Sequence, residues 1–443
     1  MKQRRFTGFW TIAACFLLVL TSIGLQPAAA QETVELTVWD THTGEVENAA
    51  ADQIYGAFME ANPNIEITRE VYSVDNMRQT VNTAIASGTG PDIIFYDAGP
   101  GYAGVLAQAG LLTPLDEYAE QYGWGERIAE QSLEATTLGG ELYGLPLQVD
   151  LIGMYYNQTL IEEAGLTVPQ TYEELLTFCQ GASEAGYVPL AFTNNPGWQG
   201  FHQFSMIVNN MLGPDWVQEK LLNNQGEWDS PEVVEAINSY FVEMRDAGCF
   251  SSDVNALTND DANALFQSGE ALMWPTGSWM ASGLNSETMP DMELGYMPFP
   301  ALEEGAGSFW VSGVGSAYYI TETSEHKDEA ALFLDYLFSP TVAAQWVDEA
   351  GFFVPMAVDK DTLELTPLQD AILTELQRAA AGEIELGYNI DVLAPPRFNE
   401  TLQSGIQAVL AGDMTAEELA TRIQAAWEES WQGQGTPEAS PAS

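Results

Sequence analysis

SGTGPDIIFYDAGPGYAGVLAQAGLLTPL, residues 87–115, is the stretch on which the reading of this chain turns. A turn over Gly88–Pro91 leads into a short apolar run, Asp92–Tyr96, that stops abruptly at Asp97-Ala98-Gly99-Pro100-Gly101. A segment of helical period follows, ends at Gly110 and gives way to Leu111-Leu112-Thr113-Pro114-Leu115. An unbroken apolar run between turn signals suits a strand buried on both faces, as in the parallel sheets of α/β proteins. Such sheets bind small molecules in the crevice beyond the carboxyl ends of their strands. Tyr96 and Asp97 stand at such an end, one an aromatic plate and the other a carboxylate.

Working outward, Glu35–Trp39 (ELTVW) reads as an earlier strand that ends at Asp40. Val46–Ala61 has apolar residues at helical spacing, Asn62-Pro63-Asn64 breaks it, and Ile65–Tyr72 alternates as a second strand. A helix over Met77–Ala86 completes a β-α-β-α-β order, which predicts a mostly parallel sheet. Beyond it, Gly140–Asn157 is extended and runs into a strand at Ile152–Tyr156. Thr171 and Glu174 have the spacing of a capping box at a helix start. Further helices are expected at Phe201–Leu212, Pro231–Ala247, Asp260–Ser268, Lys327–Phe338, Thr366–Ala381, Phe398–Ala411 and Thr415–Trp431. Ala271–Trp274 and Val311–Ile320 read as strands. Residues 432–443, rich in Gly, Pro and Ser without apolar periodicity, read as a disordered tail.

At the other end, Met1-Lys2-Gln3-Arg4-Arg5, an apolar run through Leu25 and Ala28-Ala29-Ala30 have the form of a secretory signal peptide over residues 1–30. Ile12-Ala13-Ala14-Cys15 superficially resembles a lipid-attachment site. The apolar run continues well past Cys15, however, which argues against a lipid anchor there. The chain is therefore expected to be exported, to the periplasm or the cell exterior. About 410 residues then remain, more than one core suits and enough for two lobes.

The formal net charge is −51. That excludes nucleic acid as a partner, because phosphate binding needs clustered Lys and Arg. A dense acidic surface stays hydrated and is screened in a salty exterior; concentration of cationic solutes near the surface is the functional alternative. Two cysteines, Cys179 and Cys249, follow the leader. Export permits a disulfide between them, and two separate buried thiols are the rival reading. The three histidines are far apart and none lies in a metal-binding arrangement, so neither metal nor cofactor is expected.

Eight segments in order resemble a known family: ELTVWD (35–40), FMEANPNIEI (58–67), SGTGPDIIFYD (87–97), AGLLTPLDEY (109–118), ELYGLPLQVDLIGMYYN (141–157), AGLTVPQTYEEL (164–175), FQSGEALMWPTGSW (266–279) and HKDEAALFLDYLFSP (326–340). Together they look like the extracellular solute-binding proteins of family 1, the sugar-capturing subunits of ABC importers. The resemblance implies a two-lobed α/β fold of the periplasmic-binding-protein type, with a hinge of three crossings and the ligand cleft between lobes. It implies lobe one at 31–148 and 313–356 and lobe two at 152–308 and 360–431, with crossings near Gln148–Leu151, Phe309–Ser312 and Val354–Lys360. The implied partners are a small solute, most plainly a carbohydrate, and the transmembrane subunits of a permease, with the protein itself monomeric.

Sugars offer apolar ring faces and a rim of hydroxyls, so their sites combine aromatic plates with charged or amide hydrogen-bonding groups. By resemblance, Trp279 in the Gly277-Ser278-Trp279 turn stacks on a ring. Asp40 lies in the loop after the first strand, Tyr96 and Asp97 at a strand end, and Asp150 at the first crossing. Arg397 and Phe398 fall near a late stacking aromatic. Trp198, in a polar Asn-Asn-Pro-Gly-Trp stretch, and Trp310, beside the second crossing, are added as candidates; His42 and His202 could also reach the cleft. Trp228 and Trp274 read as core. The loop after Tyr96 lacks the Asp-Arg pair of the maltose-binding members, so maltose contacts do not transfer. Two other functions compete. A polyamine or other cationic solute would suit Asp40, Asp97 and Asp150 in one cleft. A secreted glycosidase would need two carboxylates ~5–9 Å apart, and the sequence offers no nucleophile motif for one.

Overall fold

The computed structural model describes residues 33–223, 226–285, 287–302, 304 and 307–431. The expected signal peptide with Cys15 and the expected tail at 432–443 lie outside the described residues. In chain order the elements that build the site begin with β1 (Val34–Asp40), α1 (Glu45–Ala61), β2 (Ile65–Val71), α2 (Val74–Ala86) and β3 (Ile93–Asp97). Then come β4 (Gly144–Pro146), β5 (Val149–Asn157), α3 (Tyr172–Glu184), β6 (Val188–Leu190), α4 (Trp198–Leu212), α5 (Asn259–Gln267), β7 (Ala271–Gly277) and β8 (Leu294–Met297). The chain closes with β9 (Trp310–Val314), β10 (Ser316–Ile320), α6 (Lys327–Leu337), α7 (Pro340–Ala350), α8 (Pro367–Ala380), β11 (Leu386–Tyr388), α9 (Pro396–Ala411) and α10 (Ala416–Trp431).

Two sheets organise these elements. The first has the order β2-β1-β3-β10-β4. Its β1 pairs in parallel with β2 and β3, as the β-α-β-α-β pattern predicts, whereas β10 runs antiparallel to β3 and β4. Side chains along β3 alternate between two cores. Ile93 and Phe95 join the core under α1, α6 and α7, while Ile94 and Tyr96 join the core under α2. Burial on both faces explains why the strand reads as a solid apolar run. The second sheet has the order β11-β9-β5-β7-β6, with β8 on the remaining length of β5. Here too the residues alternate: Ile152 and Met154 face the core packed by α3, α4, α9 and α10, whereas Leu151 and Tyr155 face the core packed by α5 and α8.

Local sequence explains most boundaries. The Thr171 hydroxyl accepts from the Glu174 N–H and the Glu174 carboxylate accepts from the Thr171 N–H, forming the expected capping box of α3. Ser73 caps α2, which begins at Val74, three residues before the expected Met77, and thereby places Arg78 in the second turn of that helix. The helix α7 has no counterpart in the sequence reading, although Ser339 and Pro340 are a cap and a first-turn proline. Residues 311–320 are two strands and not one. Val311–Val314 pair with β5 in the second sheet and Ser316–Ile320 with β3 in the first, so the chain changes sheet at Gly315. This passage falls after the expected Phe309–Ser312, and Gly313 and Val314 belong with the second sheet. The reason is register: Gly313 opposes Asp150 and Val314 opposes Val149, at the start of β5, just after the chain has left β4 of the first sheet. Cys179 in α3 and Cys249 are joined by a disulfide with Cα atoms 4.8 Å apart.

Candidate functional site

The elements converge where the two sheets meet. From the first sheet's side come the end of β3, the loop behind it and the start of α2. Asp97 accepts two hydrogen bonds from Arg78, from Nε at 2.8 Å and Nη2 at 2.9 Å. The same guanidinium lies 4.7 Å from the centre of the Tyr102 ring, and Tyr102 meets Tyr96 edge-on at 6.3 Å. Asp97 is thus paired with an arginine of helix α2, outside its own loop. Burial, aided by the Asp97 charge, raises the Tyr96 hydroxyl above its ordinary range, so it stays protonated.

From the second sheet's side come the start of α4, the turn after β7 and the short turn Ile390–Val392 before α9. Trp198, His202 and Trp279 form a cluster: the His202 ring lies 5.2 Å from Trp198 and 5.5 Å from Trp279, both edge-on, and the two indoles are 6.3 Å apart. Trp198 is the first residue of α4, so it and His202 lie one turn apart on one face. Both indoles are only partly buried, whereas His202 is 7% exposed. The His202 Nε2 is 3.2 Å from Asp391 Oδ2. Gly277 makes the Trp279 position possible, because a Cβ there would lie 1.8 Å from the indole. Asp391 was not singled out in the sequence, nor was Arg78.

Between the two sides stands Asp150, at the beginning of β5 and 6% exposed. The Ser278 hydroxyl donates to its Oδ1 at 3.1 Å and itself accepts from the Leu151 N–H at 3.1 Å. Burial pushes the Asp150 carboxyl up to about 7, against the opposing pull of the Ser278 hydrogen bond and of His202. Glu47, in the first turn of α1, is also pushed up to about 7 by burial, with the Asp150 charge contributing in the same direction. Several buried polar atoms here have no partner in the protein: Asp391 Oδ1, His202 Nδ1, Asn389 Oδ1 and Asn399 Oδ1. Leaving such atoms unpaired costs ~1–3 kcal/mol each, so each is an acceptor open to a donor that the protein does not supply.

The two sides also touch directly. Gly99, at φ +90°, lies so near Val392 that an added Cβ would be 1.9 Å from its carbonyl oxygen. A Cβ on Gly101 would lie 2.8 Å from Asn399 Nδ2 and 3.0 Å from the Ala394 oxygen. The Ala98 N–H donates to the Gly315 oxygen at 3.0 Å, which anchors this loop at the point where the chain changes sheet.

Four expected site residues lie elsewhere. Asp40 is fully buried and already satisfied: Arg69 donates to its Oδ2 at 2.6 Å and Oδ1 at 2.9 Å, the Tyr55 hydroxyl to Oδ2 at 3.3 Å, and the His42 N–H to Oδ1 at 3.2 Å. A carboxylate so engaged holds β1, β2 and α1 together and offers no free lone pair to a ligand. Phe398 is fully buried against Trp228 and Trp427, at 4.4 and 5.3 Å, because its position on α9 faces the helical core. Its neighbour Arg397 points to solvent and pairs with Glu429 of α10. Trp310 sits at the start of β9, far along the strand from the crossing. Its ring lies tilted against Tyr296 at 4.9 Å, donates to Glu375, and lines a separate cavity of about 550 Å³ beside α8. His42 is likewise structural, bonded to the Tyr318 hydroxyl at 3.0 Å, with burial lowering its pKa to about 4. Trp228 and Trp274 are core, as read.

Among the described residues no group of His, Cys, Asp and Glu is arranged to hold a metal ion, and no helix is long and apolar enough to cross a membrane. The sequence resembles a putative binding protein of Brucella abortus, at 28% identity over 344 residues, covering 76% of this chain and 80% of that one. The multiple sugar-binding protein of Streptococcus mutans is 24% identical over 399 residues, covering 85% and 89%. In three dimensions the chain superposes on a chitin oligosaccharide binding protein with a TM-score of 0.79 at 21% identity, over 90% of this chain and all of that one. Residues 42–344 match the bacterial extracellular solute-binding protein family, and the chain belongs to that family.

Proposed function

We propose that this chain is the capture subunit of an ABC importer and that its solute is a sugar or oligosaccharide. The observation that carries the reading is the partly open Trp198–Trp279 pair flanked by buried, unsatisfied oxygens of Asp391 and Asn399. Flat apolar plates beside unpaired acceptors suit a ring with a hydroxyl rim. The sugar-binding names of its relatives point the same way. In this reading the two sheets are the cores of two lobes, with residues 31–148 and 313–356 mainly in one and 152–308 and 360–431 in the other. The ligand's contacts to both sides favour the closed arrangement, which is a hinge motion. Asp97, Arg78 and Tyr102 would meet the solute from one side, and Trp198, His202, Trp279 and Asp391 from the other, with Asp150 at the hinge. The protein acts exported and as a monomer, binds without turnover, and hands the solute to a permease.

Two of the three carboxylates behind the cationic-solute alternative are already paired, Asp40 with Arg69 and Asp97 with Arg78, which weighs against it. Membership of a binding-protein family weighs against a glycosidase. Isothermal titration of the mature protein against mono-, di- and trisaccharides tests the reading. One or more should bind one-to-one and be recovered unchanged. Silence toward every saccharide, with putrescine or spermidine binding, would reverse it.

A further inference from the structure

His202 and Asp391 come from distant parts of the chain, α4 and the turn before α9, and are 7% and 3% exposed. They share one bond, His202 Nε2 to Asp391 Oδ2 at 3.2 Å. Each then has one further polar atom, His202 Nδ1 and Asp391 Oδ1, that is buried and has no partner in the protein. The His202 ring is fixed in place by the edges of Trp198 and Trp279, so Nδ1 cannot swing away to find a partner. The backbone oxygen of Asp391 accepts from Asn399 Nδ2 at 2.8 Å, which fixes the turn carrying the carboxylate.

The chemistry of this pair follows from which nitrogen carries the proton. A carboxylate only accepts, so Nε2 must donate to Asp391 Oδ2. In a neutral imidazole that leaves Nδ1 as a bare acceptor. Both free ends of the pair, Nδ1 and Oδ1, are then acceptors, and the imidazole that links them lies beside the aromatic plates. We propose that His202 and Asp391 form a specificity-determining dyad that reads two hydroxyl donors of the bound saccharide, with Asp391 acting on His202 by fixing its tautomer. This rests on the saccharide reading above and deepens it, since the ligand must present two free hydroxyls to the dyad. An analogue deoxygenated or O-methylated at either hydroxyl leaves a buried acceptor unpaired, the kind of loss that sites built to bond a hydroxyl punish heavily.

The chain has three histidines, so nitrogen spectra of ¹⁵N-histidine-labelled mature protein resolve each ring. The expected spectrum shows His202 with its proton on Nε2 and an unprotonated Nδ1, which shifts on addition of whichever of D-glucose, D-galactose, D-xylose, maltose, cellobiose or raffinose binds by calorimetry. His42 and His326 should stay unmoved. Asp391→Asn removes the charge that holds the proton on Nε2 and offers the ring an amide that can donate as well as accept, so it should disturb the His202 tautomer and weaken the same sugar at least tenfold. His202→Gln, which keeps a polar group without the tautomer, should weaken it similarly, with unchanged thermal unfolding separating recognition from misfolding. A sugar that binds without moving the His202 signals, or binds Asp391→Asn as tightly as wild type, overturns the dyad and leaves the saccharide reading standing. Failure of all six sugars overturns both.

Discussion

At the scale of single residues, the site pairs aromatic surface with carboxylates whose environments differ sharply. Trp279 is held over Gly277 by a turn that admits no side chain at that glycine. Truncating Trp279 to Ala removes one plate, and with it about 1.5–3 kcal/mol of apolar contact. Calorimetry should therefore show sugar affinity falling roughly ten- to a hundredfold, while the far-UV spectrum is unchanged. Asp150 makes a different prediction. Its folded carboxyl titrates near 7, above the ordinary 3.8, so the folded state holds its proton more tightly than the unfolded chain. That contribution is fully present below about pH 4 and is lost as the pH rises through 7. Asp150→Asn removes the titration. Relative to wild type, the variant should gain on the order of 2 kcal/mol of stability between pH 5 and pH 8. A constant difference in denaturant midpoints across that range would show that Asp150 does not titrate there.

At the scale of elements, the sequence was most readable where period and punctuation agree. The strand Ile93–Asp97, the capped α3 and the alternating β2 were all visible because burial on both faces, a capping box or one-sided burial each leaves a local mark. Gly315 shows where such marks stop. A ten-residue apolar stretch looks like one strand, and only the pairing of Val314 with Val149 and of Ser316 with Asp97 divides it between sheets. The site was legible in the same partial way. Trp198, Trp279, Asp97 and Asp150 could be named from their loops, but Arg78 hides in a helix and Asp391 in a stretch without periodicity. Asp40 misled because its partner, Arg69, stands one strand away, and Phe398 because helix α9 turns it inward. The loop after β3 carries its own prediction. Gly99 adopts φ +90° with Val392 pressed against it, so Gly99→Ala should cost about 2 kcal/mol or more from backbone strain and displacement, seen as a lower unfolding midpoint. Gly110, also at positive φ but in open space, should accept Ala at the cost of strain alone.

At the scale of the molecule, two sheets with separate cores are joined where β5, Gly315 and the loop after β3 meet, and the polar cluster sits at that junction. The strong negative charge is spread over a chain with only 13 Lys and Arg, and two of those arginines, Arg69 and Arg78, are spent on Asp40 and Asp97. The disulfide closes a 70-residue separation within the second sheet's body. Replacing Cys179 and Cys249 with Ala should therefore destabilise the protein by about 2–4 kcal/mol without altering sugar affinity, since neither cysteine makes a hydrogen bond to the cluster. Binding unchanged in a less stable protein would separate the scaffold from the site. The most direct measurement of the central claim is a crystal structure of this protein with the saccharide that calorimetry identifies. The expected result is a sugar ring against Trp198 and Trp279, with hydroxyls on Asp391 and His202 and with Arg78 and Asp97 facing it from the other side. A saccharide found instead in the Trp310 cavity, with the Trp198–Trp279 cluster empty, would contradict the account.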